Sequence, residues 1–535
     1  MHTDEPLVYA SARGKWVLAA TVLGSGLAQL DGTVVNVALP RIGADLGGGL
    51  TSLQWTLNAY TLTLSGLLLL GGSLGDRMGR RRIFVLGVLW FTAASVGCAL
   101  APSSAVLIAM RALQGAGAAL LTPGSLAILQ ASFRKEDRST AVGAWSGLGG
   151  VATAFGPILG GLLVAVAPWG WRLVFLINLP IAAVVILLSR KYIPESRDEM
   201  AQGGLDISGA VLASVGLGAL IFGLTEGPGG GWSTVDIAVT AAGVILLVAF
   251  VLLESRKPNP LLPLALFASR QFSSANLVTF AVYAALAGAL FLLPVQLQLV
   301  AGFSPVQAGA ATLPITVMML LLSARMGRLS ARIGPRLPMT VGPIIAGLAM
   351  AWLTQVGPDA GYVSDVLAPM LLFGLGLSTT VAPLTSTVLA AAPDHQAGIA
   401  SAINNDVARI AGLIAVAVLP TLAGITPAAY ADPAMLSAGF QRAVLIAGGL
   451  CVAGGLLALL TIRSPDASMP GGSTGSGPSG GPEVEGAAVA LTGAATEAAS
   501  GGDAAPGRAS GHRHESDPAV GCAACPVLAP HIRPR

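Results

Sequence analysis

Fourteen apolar stretches, each long enough to cross a lipid bilayer, follow one another with centres from about residue 27 to about residue 451 and leave this chain few ways to fold. A span takes about 20 apolar residues. In hydrocarbon the backbone must satisfy its own hydrogen bonds, which a helix does within a single segment. The expected fold class is therefore all-α: a polytopic membrane protein of fourteen transmembrane helices. Only 10% of the 535 residues are charged and 54% are hydrophobic, whereas soluble domains carry about 25% charged residues. The first stretch, Trp16 to Ala38, is of full length, carries Asp31 and lacks a small-residue cleavage site, so it reads as a retained helix and not as a signal peptide.

A short basic turn appears twice. Gly72, Leu74, Arg77, Gly79 and Arg81 recur as Gly327, Leu329, Arg332, Gly334 and Arg336, each set between two apolar stretches. Asp76 does not recur; its counterpart is Ala331. Gly115, Gly117 and Pro123 in the fourth stretch are echoed by Gly374, Gly376 and Pro383 in the twelfth. Repetition in the same order and direction implies two six-helix bundles that are parallel repeats, related by an axis along the membrane normal. Two inserted helices lie between them. The expected division is a cytoplasmic N-terminus over 1–15, with the first dozen residues loose, and an N-terminal six-helix bundle over 16–200. The inserted pair covers 201–260, the C-terminal six-helix bundle 261–463, and a disordered cytoplasmic tail 464–535, rich in Gly, Ala, Ser and Pro.

Arginine and lysine collect in alternate loops: Arg77 with Arg80 to Arg82, Arg134/Lys135/Arg138, Arg190/Lys191/Arg197, Arg256/Lys257/Arg270 and Arg325/Arg328/Arg332/Arg336. By the positive-inside rule these loops face the cytoplasm, as do both termini. The net charge of +3 has no basic block that suggests nucleic acid. Trp16, Trp55, Trp169, Trp171 and Trp232 fall near span ends and read as an interfacial belt. Cys98 and Cys451 read as packed thiols in apolar spans. The lone Cys522/Cys525 pair in the tail cannot complete a tetrahedral zinc site. No metal site and no cofactor are expected, nor is enzymatic activity: the sequence has no phosphate loop or nucleophile constellation, and its five His lie in a loop or near the termini.

The chemistry sits in a few polar residues inside apolar spans. Asp31 costs about 2.5–3.5 kcal/mol to place at a span centre on insertion scales, which makes an intramembrane carboxylate a functional candidate by default. Burial raises a carboxyl pKa and a nearby cation lowers it, so a carboxylate whose surroundings change with conformation can carry a proton. Arg111 is its expected partner: both lie about seven residues, roughly 10 Å at the helical rise, below the same membrane surface. Substrate-cavity candidates are Asn36, Gln114, Asp406 and Arg409, the last two spaced to pair on one helix face. Gly72, Asp76, Arg77, Gly79 and Arg80 form a candidate conformational latch, with Asp76 free to pair with a neighbouring arginine or to cap a helix N-terminus. In the fifth stretch Gly156, Pro157, Gly160 and Gly161 combine close helix approach with a missing backbone donor. Glu226 reads as a solvated helix end.

The basic turn resembles the signature loop of the major facilitator superfamily. Further segments resemble that superfamily's fourteen-helix drug:proton antiporter branch: Leu30 to Pro40 its first-helix motif, Arg111 to Gly117 its fourth-helix motif, and Gly156 to Gly161 its antiporter motif. The resemblance covers the first six helices closely and the second half loosely. It implies a proton-coupled secondary transporter that exports small organic compounds such as drugs or antibiotics by alternating access. Its expected partners are the substrate, protons and the lipid bilayer, its expected location the bacterial plasma membrane, and its expected working form a monomer. The alternatives are a nutrient or metabolite symporter or facilitator of the same fold, or a membrane receptor or enzyme.

Overall fold

The computed structural model describes residues 6–197, 206–257, 260–393 and 396–463. The expected disordered tail, with Cys522 and Cys525, and His395 lie outside the described residues. Among the described residues fourteen helices have the length and hydropathy to span a membrane. In chain order they are α1 (Ala12–Leu46), α2 (Leu50–Met78), α3 (Arg80–Ala99), α4 (Ser104–Ser132), α5 (Lys135–Ala165), α6 (Gly170–Tyr192) and α7 (Ile207–Pro228). Then follow α8 (Thr234–Glu254), α9 (Arg270–Leu299), α10 (Pro305–Ile333), α11 (Arg336–Gln355), α12 (Tyr362–Ala390), α13 (Ala397–Leu422) and α14 (Pro433–Thr461).

The helices pack as two six-helix bundles, α1–α6 and α9–α14, with α7 and α8 as an inserted hairpin. Within the first bundle α1 packs on α5 and α6, α2 on α4, and α3 on α4 and α6; within the second α9 packs on α13 and α14, α10 on α12, and α11 on α12 and α14. Each pairing recurs in the same chain order, which is the signature of parallel repeats. The repeated glycines set these crossings. A Cβ on Gly115 would lie 2.2 Å from the Tyr60 carbonyl oxygen of α2, and one on Gly117 2.6 Å from the Phe91 nitrogen of α3. In the second bundle a Cβ on Gly374 would lie 2.8 Å from Ile315 of α10, and one on Gly376 2.6 Å from the Ala346 nitrogen of α11. Backbones at this distance admit only glycine.

The two basic turns also match. Gly79 has φ 114° and Gly334 φ 84°, a region that disfavours residues with a Cβ. Arg81 donates from Nη1 to the carbonyl oxygen of Ile193, just past α6, at 3.0 Å, and its repeat Arg336 donates from Nε to Leu459 near the end of α14 at 2.8 Å. The loops carrying these arginines lie at one end of the bundle, called here the basic end; the opposite end is the far end.

Three expectations change. Residues 6–11 are not loose: Leu7 donates its N–H to Ser132 at 2.7 Å and accepts from Arg134 at 3.1 Å, which ties the N-terminus to the α4–α5 turn. Trp171 is fully buried, its indole donating to Asp45 at 2.9 Å, so it is a packing residue and not a belt residue. Trp55, half-buried near its span end, donates to Glu226 at 2.8 Å, so Glu226 is a bonded acceptor and not a solvated helix end. Trp16, Trp169 and Trp232 are exposed on the apolar surface. Cys98 and Cys451 are free and buried, as a packed thiol should be.

The hairpin closes on itself at the basic end. Asp206 caps α7 by accepting from Gly209 N at 2.8 Å, and Lys257 bonds both Asp206 and Glu254. Glu254 also accepts from Leu262 N at 3.2 Å. Burial works to raise the Asp206 carboxyl, but the hydrogen bonds from Lys257 and Gly209 outweigh it and bring the group down to about 2. A depressed carboxyl contributes stability that is present above its unfolded value of about 3.9 and is lost as pH falls through the folded value. Hydrogen-exchange protection at the start of α7 should therefore hold from pH 7 to about 4 and decline as pH approaches 2. In Asp206→Asn that acid dependence should be gone.

Candidate functional site

Asp31 and Arg111 meet in the middle of the first bundle. Both are completely buried, and Arg111 Nη1 donates to Asp31 Oδ2. An ion pair taken out of water holds only when its remaining polar atoms are also satisfied. Here Arg111 Nη1 also donates to Gln114 Oε1 at 2.7 Å, and Nε donates to the Thr56 carbonyl oxygen of α2 at 2.9 Å. Asp31 Oδ1 accepts from Gln114 Nε2 at 2.8 Å and from Asn178 Nδ2 of α6 at 3.4 Å. Ser95 of α3 accepts from both Gln114, at 2.9 Å, and Asn178, at 3.2 Å. The guanidinium carbon lies 4.3 Å from the centre of the Tyr60 ring and 5.8 Å from that of Phe175, within cation–π range. Tyr60 in turn donates to the Ala28 carbonyl oxygen at 2.9 Å.

The pairing of Asp31 with Arg111 was legible from depth alone; most of what surrounds it was not. Gln114, expected at a cavity, is fully buried inside this network and links both charged groups. Ser95, Asn178, Tyr60 and Phe175 were missed, because each looks like an ordinary helix residue until α2, α3 and α6 converge on α1 and α4. Asn36 is half-buried and makes no hydrogen bond among the described residues. Asp406 and Arg409 do not form the expected ion pair: no charged contact joins them among the described residues, and Asp406 Oδ1 is buried without a partner. Helical spacing brings two side chains to one face, and their rotamers decide whether they touch.

In the basic turn Asp76 pairs within its own hairpin: Arg80 Nη2 lies 2.8 Å from Asp76 Oδ1. The partner that ties the turn to another helix is Glu195, just past α6, which sequence reasoning missed. It accepts from Arg81 N, at the start of α3, at 3.1 Å and lies 3.6 Å from Arg81 and 3.7 Å from Arg82. A carboxylate at a helix N-terminus meets the positive end of its dipole. Among the turn's glycines, Gly71 makes the close approach, with a Cβ there 2.1 Å from the Ala119 carbonyl oxygen; Gly72 has ordinary room, its nearest atom being 3.5 Å away on Pro123.

The glycines of α5 face two ways. A Cβ on Gly156 would lie 2.1 Å from Thr33 Oγ1 and one on Gly160 2.7 Å from the Val34 carbonyl oxygen, so this face seats α1. Gly161 turns to the other bundle, 2.5 Å from the Pro305 carbonyl oxygen of α10, and Gly309 of α10 lies 2.1 Å by the same measure from the Pro157 carbonyl oxygen. α5 stays helical through Pro157. Elsewhere between the bundles, Gln54 Nε2 donates to Val416 and Ala417 of α13 at 2.7 and 3.2 Å, Asn58 Nδ2 to Leu413 at 3.5 Å, and Gln298 Nε2 to Val37 at 3.0 Å. These bonds between the bundles all lie toward the far end.

The structure thus has a buried ion pair in one of two repeated six-helix bundles and a glycine-lined contact between them. A family comparison settles its membership, matching the Major Facilitator Superfamily over residues 21–416. The chain belongs to the Major Facilitator Superfamily. Its sequence relatives are of the superfamily's drug-efflux type. It is 35% identical to the tetracenomycin C resistance and export protein of Streptomyces glaucescens, over 76% of this chain and 75% of that one. It is 36% identical to a multidrug resistance protein of Mycobacterium tuberculosis, over 78% and 77%, and 36% identical to a puromycin resistance protein of Streptomyces alboniger, over 84% and 91%. Among solved structures, a bacterial homologue of the human lysosomal transporter Spinster shares the fold with a TM-score of 0.62 at 17% identity, covering 86% of this chain and all of that one. This superfamily member is thus a multi-pass membrane transporter.

Proposed function

We propose that this transporter exports small organic compounds of the drug and antibiotic kind by exchanging them for protons, working by alternating access as a monomer in the bacterial plasma membrane. The observation that carries the reading is the buried Asp31–Arg111 pair, a carboxylate and a guanidinium held in the bundle interior by Gln114, Asn178 and the Thr56 carbonyl. With the basic end and both termini in the cytoplasm, the far-end bonds close the outer side. The described arrangement is then a state closed to the outside.

Protonating Asp31 removes one charge of the pair and leaves Arg111 to its other partners. One of these is on α2, where Thr56 sits between Gln54 and Asn58, the two residues that bond across to α13. A proton arriving at Asp31 therefore acts on the helix that holds the outer seam. Asn36, Asp406 and Arg409 make no hydrogen bond or ion pair among the described residues, and they are the proposed contacts for cargo, whereas Gln114 orients the proton site. The basic turn, through Asp76–Arg80 and Glu195, is proposed to brace the inner end. One charge moved across 100 mV is worth about 2.3 kcal/mol, enough to drive accumulation before any pH gradient is added.

The test is direct. In proteoliposomes of the purified protein with a pH dye inside, a substrate gradient imposed outward should draw protons inward, and a pH gradient alone should drive substrate the opposite way. Substrate flux that ignores the pH gradient and moves no protons would overturn proton exchange and favour a facilitator.

A further inference from the structure

The inserted helix α7 lies against the seam between the two bundles, and it holds the two sides by different means. Toward α2 of the N-terminal bundle its apolar contacts are joined by a hydrogen bond and a close backbone approach. Trp55 Nε1 donates to Glu226 Oε1 at 2.8 Å, and the Trp55 ring lies 6.1 Å from that of Phe222. A Cβ on Gly66 would sit 2.3 Å from Ser214 Oγ, so the α2 backbone rests directly on α7. Toward α13 of the C-terminal bundle the contact is apolar: Leu217 and Ile221 share one buried cluster with Leu413 and Ala417, closed on the α2 side by Trp55 and Leu62. No hydrogen bond joins α7 to α13 among the described residues.

The difference has a mechanical meaning. A hydrogen bond is directional and weakens steeply once its geometry is lost. Apolar contact is non-directional, and one set of methyl groups can replace another at little cost. The α2–α13 seam is where Gln54 and Asn58 meet α13, so it must open when the far end opens. α7 cannot stay fixed to both sides.

We propose that α7 travels with the N-terminal bundle, anchored by the Trp55–Glu226 bond, and that its Leu217/Ile221 face is the bearing over which α13 slides as the bundles rock. This rests on the alternating-access reading above. Glu226 is then a positioning residue: it touches neither proton nor cargo and keeps the bearing in register with α2.

Pairs of spin labels at the far ends of α2, α7 and α13, measured by electron–electron distance methods at high and low pH with substrate present, separate the cases. The α2–α13 and α7–α13 distances should change together by roughly 3–5 Å, up to one helical turn, while α2–α7 holds within about 1 Å. An α2–α13 change in which α7 follows α13 would overturn this proposal alone; an unchanging α2–α13 distance would overturn the rocking reading and this proposal with it. A second measurement uses turnover. Glu226→Ala should lower transport turnover about fivefold, the effect of losing one hydrogen bond, with substrate affinity unchanged. Glu226→Gln, which keeps an acceptor oxygen for Trp55, should retain it. Equal losses in the two variants, or none in Glu226→Ala, would rule out the bond as the anchor.

Discussion

Arg111→Met is expected to destabilise the protein by about 3–5 kcal/mol, and adding Asp31→Asn in the same chain is expected to recover most of that loss. The guanidinium is the only cation that contacts Asp31 among the described residues, and no water-exposed route relieves it, since both side chains are buried. Removing the cation leaves a charge in the membrane interior with only Gln114 and Asn178 as donors. Asn at position 31 has the same shape without the charge and can still accept from both. Denaturant unfolding in detergent micelles, followed by tryptophan fluorescence, checks the cycle; the recovery is the informative quantity, because a merely bulky or poorly packed Met would not be rescued. The double variant should fold and still fail to exchange substrate for protons. An Arg111→Met protein as stable as the parent would mean that the contact between Arg111 and Asp31 does not hold the bundle together.

Valine at Gly161 or Gly309 is expected to shift the transporter away from its far-end-closed state. At each position even a Cβ meets a backbone carbonyl, at 2.5 Å on Pro305 and 2.1 Å on Pro157, and a carbonyl on a helix cannot swing aside as a side chain tip can. Overpacking of this kind costs about 1–3 kcal/mol. Because the contact exists only where α5 meets α10, the cost falls on one conformation and moves its equilibrium by about 5- to 150-fold. Labelling of a cysteine placed at Val37 by a membrane-impermeant maleimide from the far side should rise accordingly, and net export should fall. Valine at Gly160 is a useful contrast: it meets Val34 within the same bundle, so it should lower stability without changing far-side accessibility. Equal labelling in all three variants would remove α5 and α10 from the seal.

The parts legible in the sequence share one property: each depends on local pattern or on repetition along the chain. Span length and apolar content are local, and they correctly indicated fourteen helices. The duplicated Gly79/Gly334 turn and the Gly115/Gly117 and Gly374/Gly376 pairs carry the parallel repeat because glycine is demanded wherever backbones touch or φ turns positive, and both bundles make the same crossings. Asp31 and Arg111 were visible because a charge in a span is costly enough to be kept only for a reason, and matched depth is arithmetic on helical rise.

What the tertiary structure alone decided are the partners that come from helices remote in sequence. Glu195 looks like any loop acid until α6 ends beside the start of α3, and Asn178 looks like helix packing until it reaches Asp31. Spacing puts Asp406 and Arg409 on one helix face, but the rotamers they take in the packed bundle leave that ion pair unmade among the described residues. Glu226 and Trp55 read separately as a solvated end and a belt residue, and only the seating of α7 on α2 joins them. The physical reason is the same in each case. Helical periodicity determines which face a side chain occupies, but whether that face meets lipid, water or a neighbour depends on how whole helices pack, and that packing energy is spread over many contacts that no short window of sequence contains.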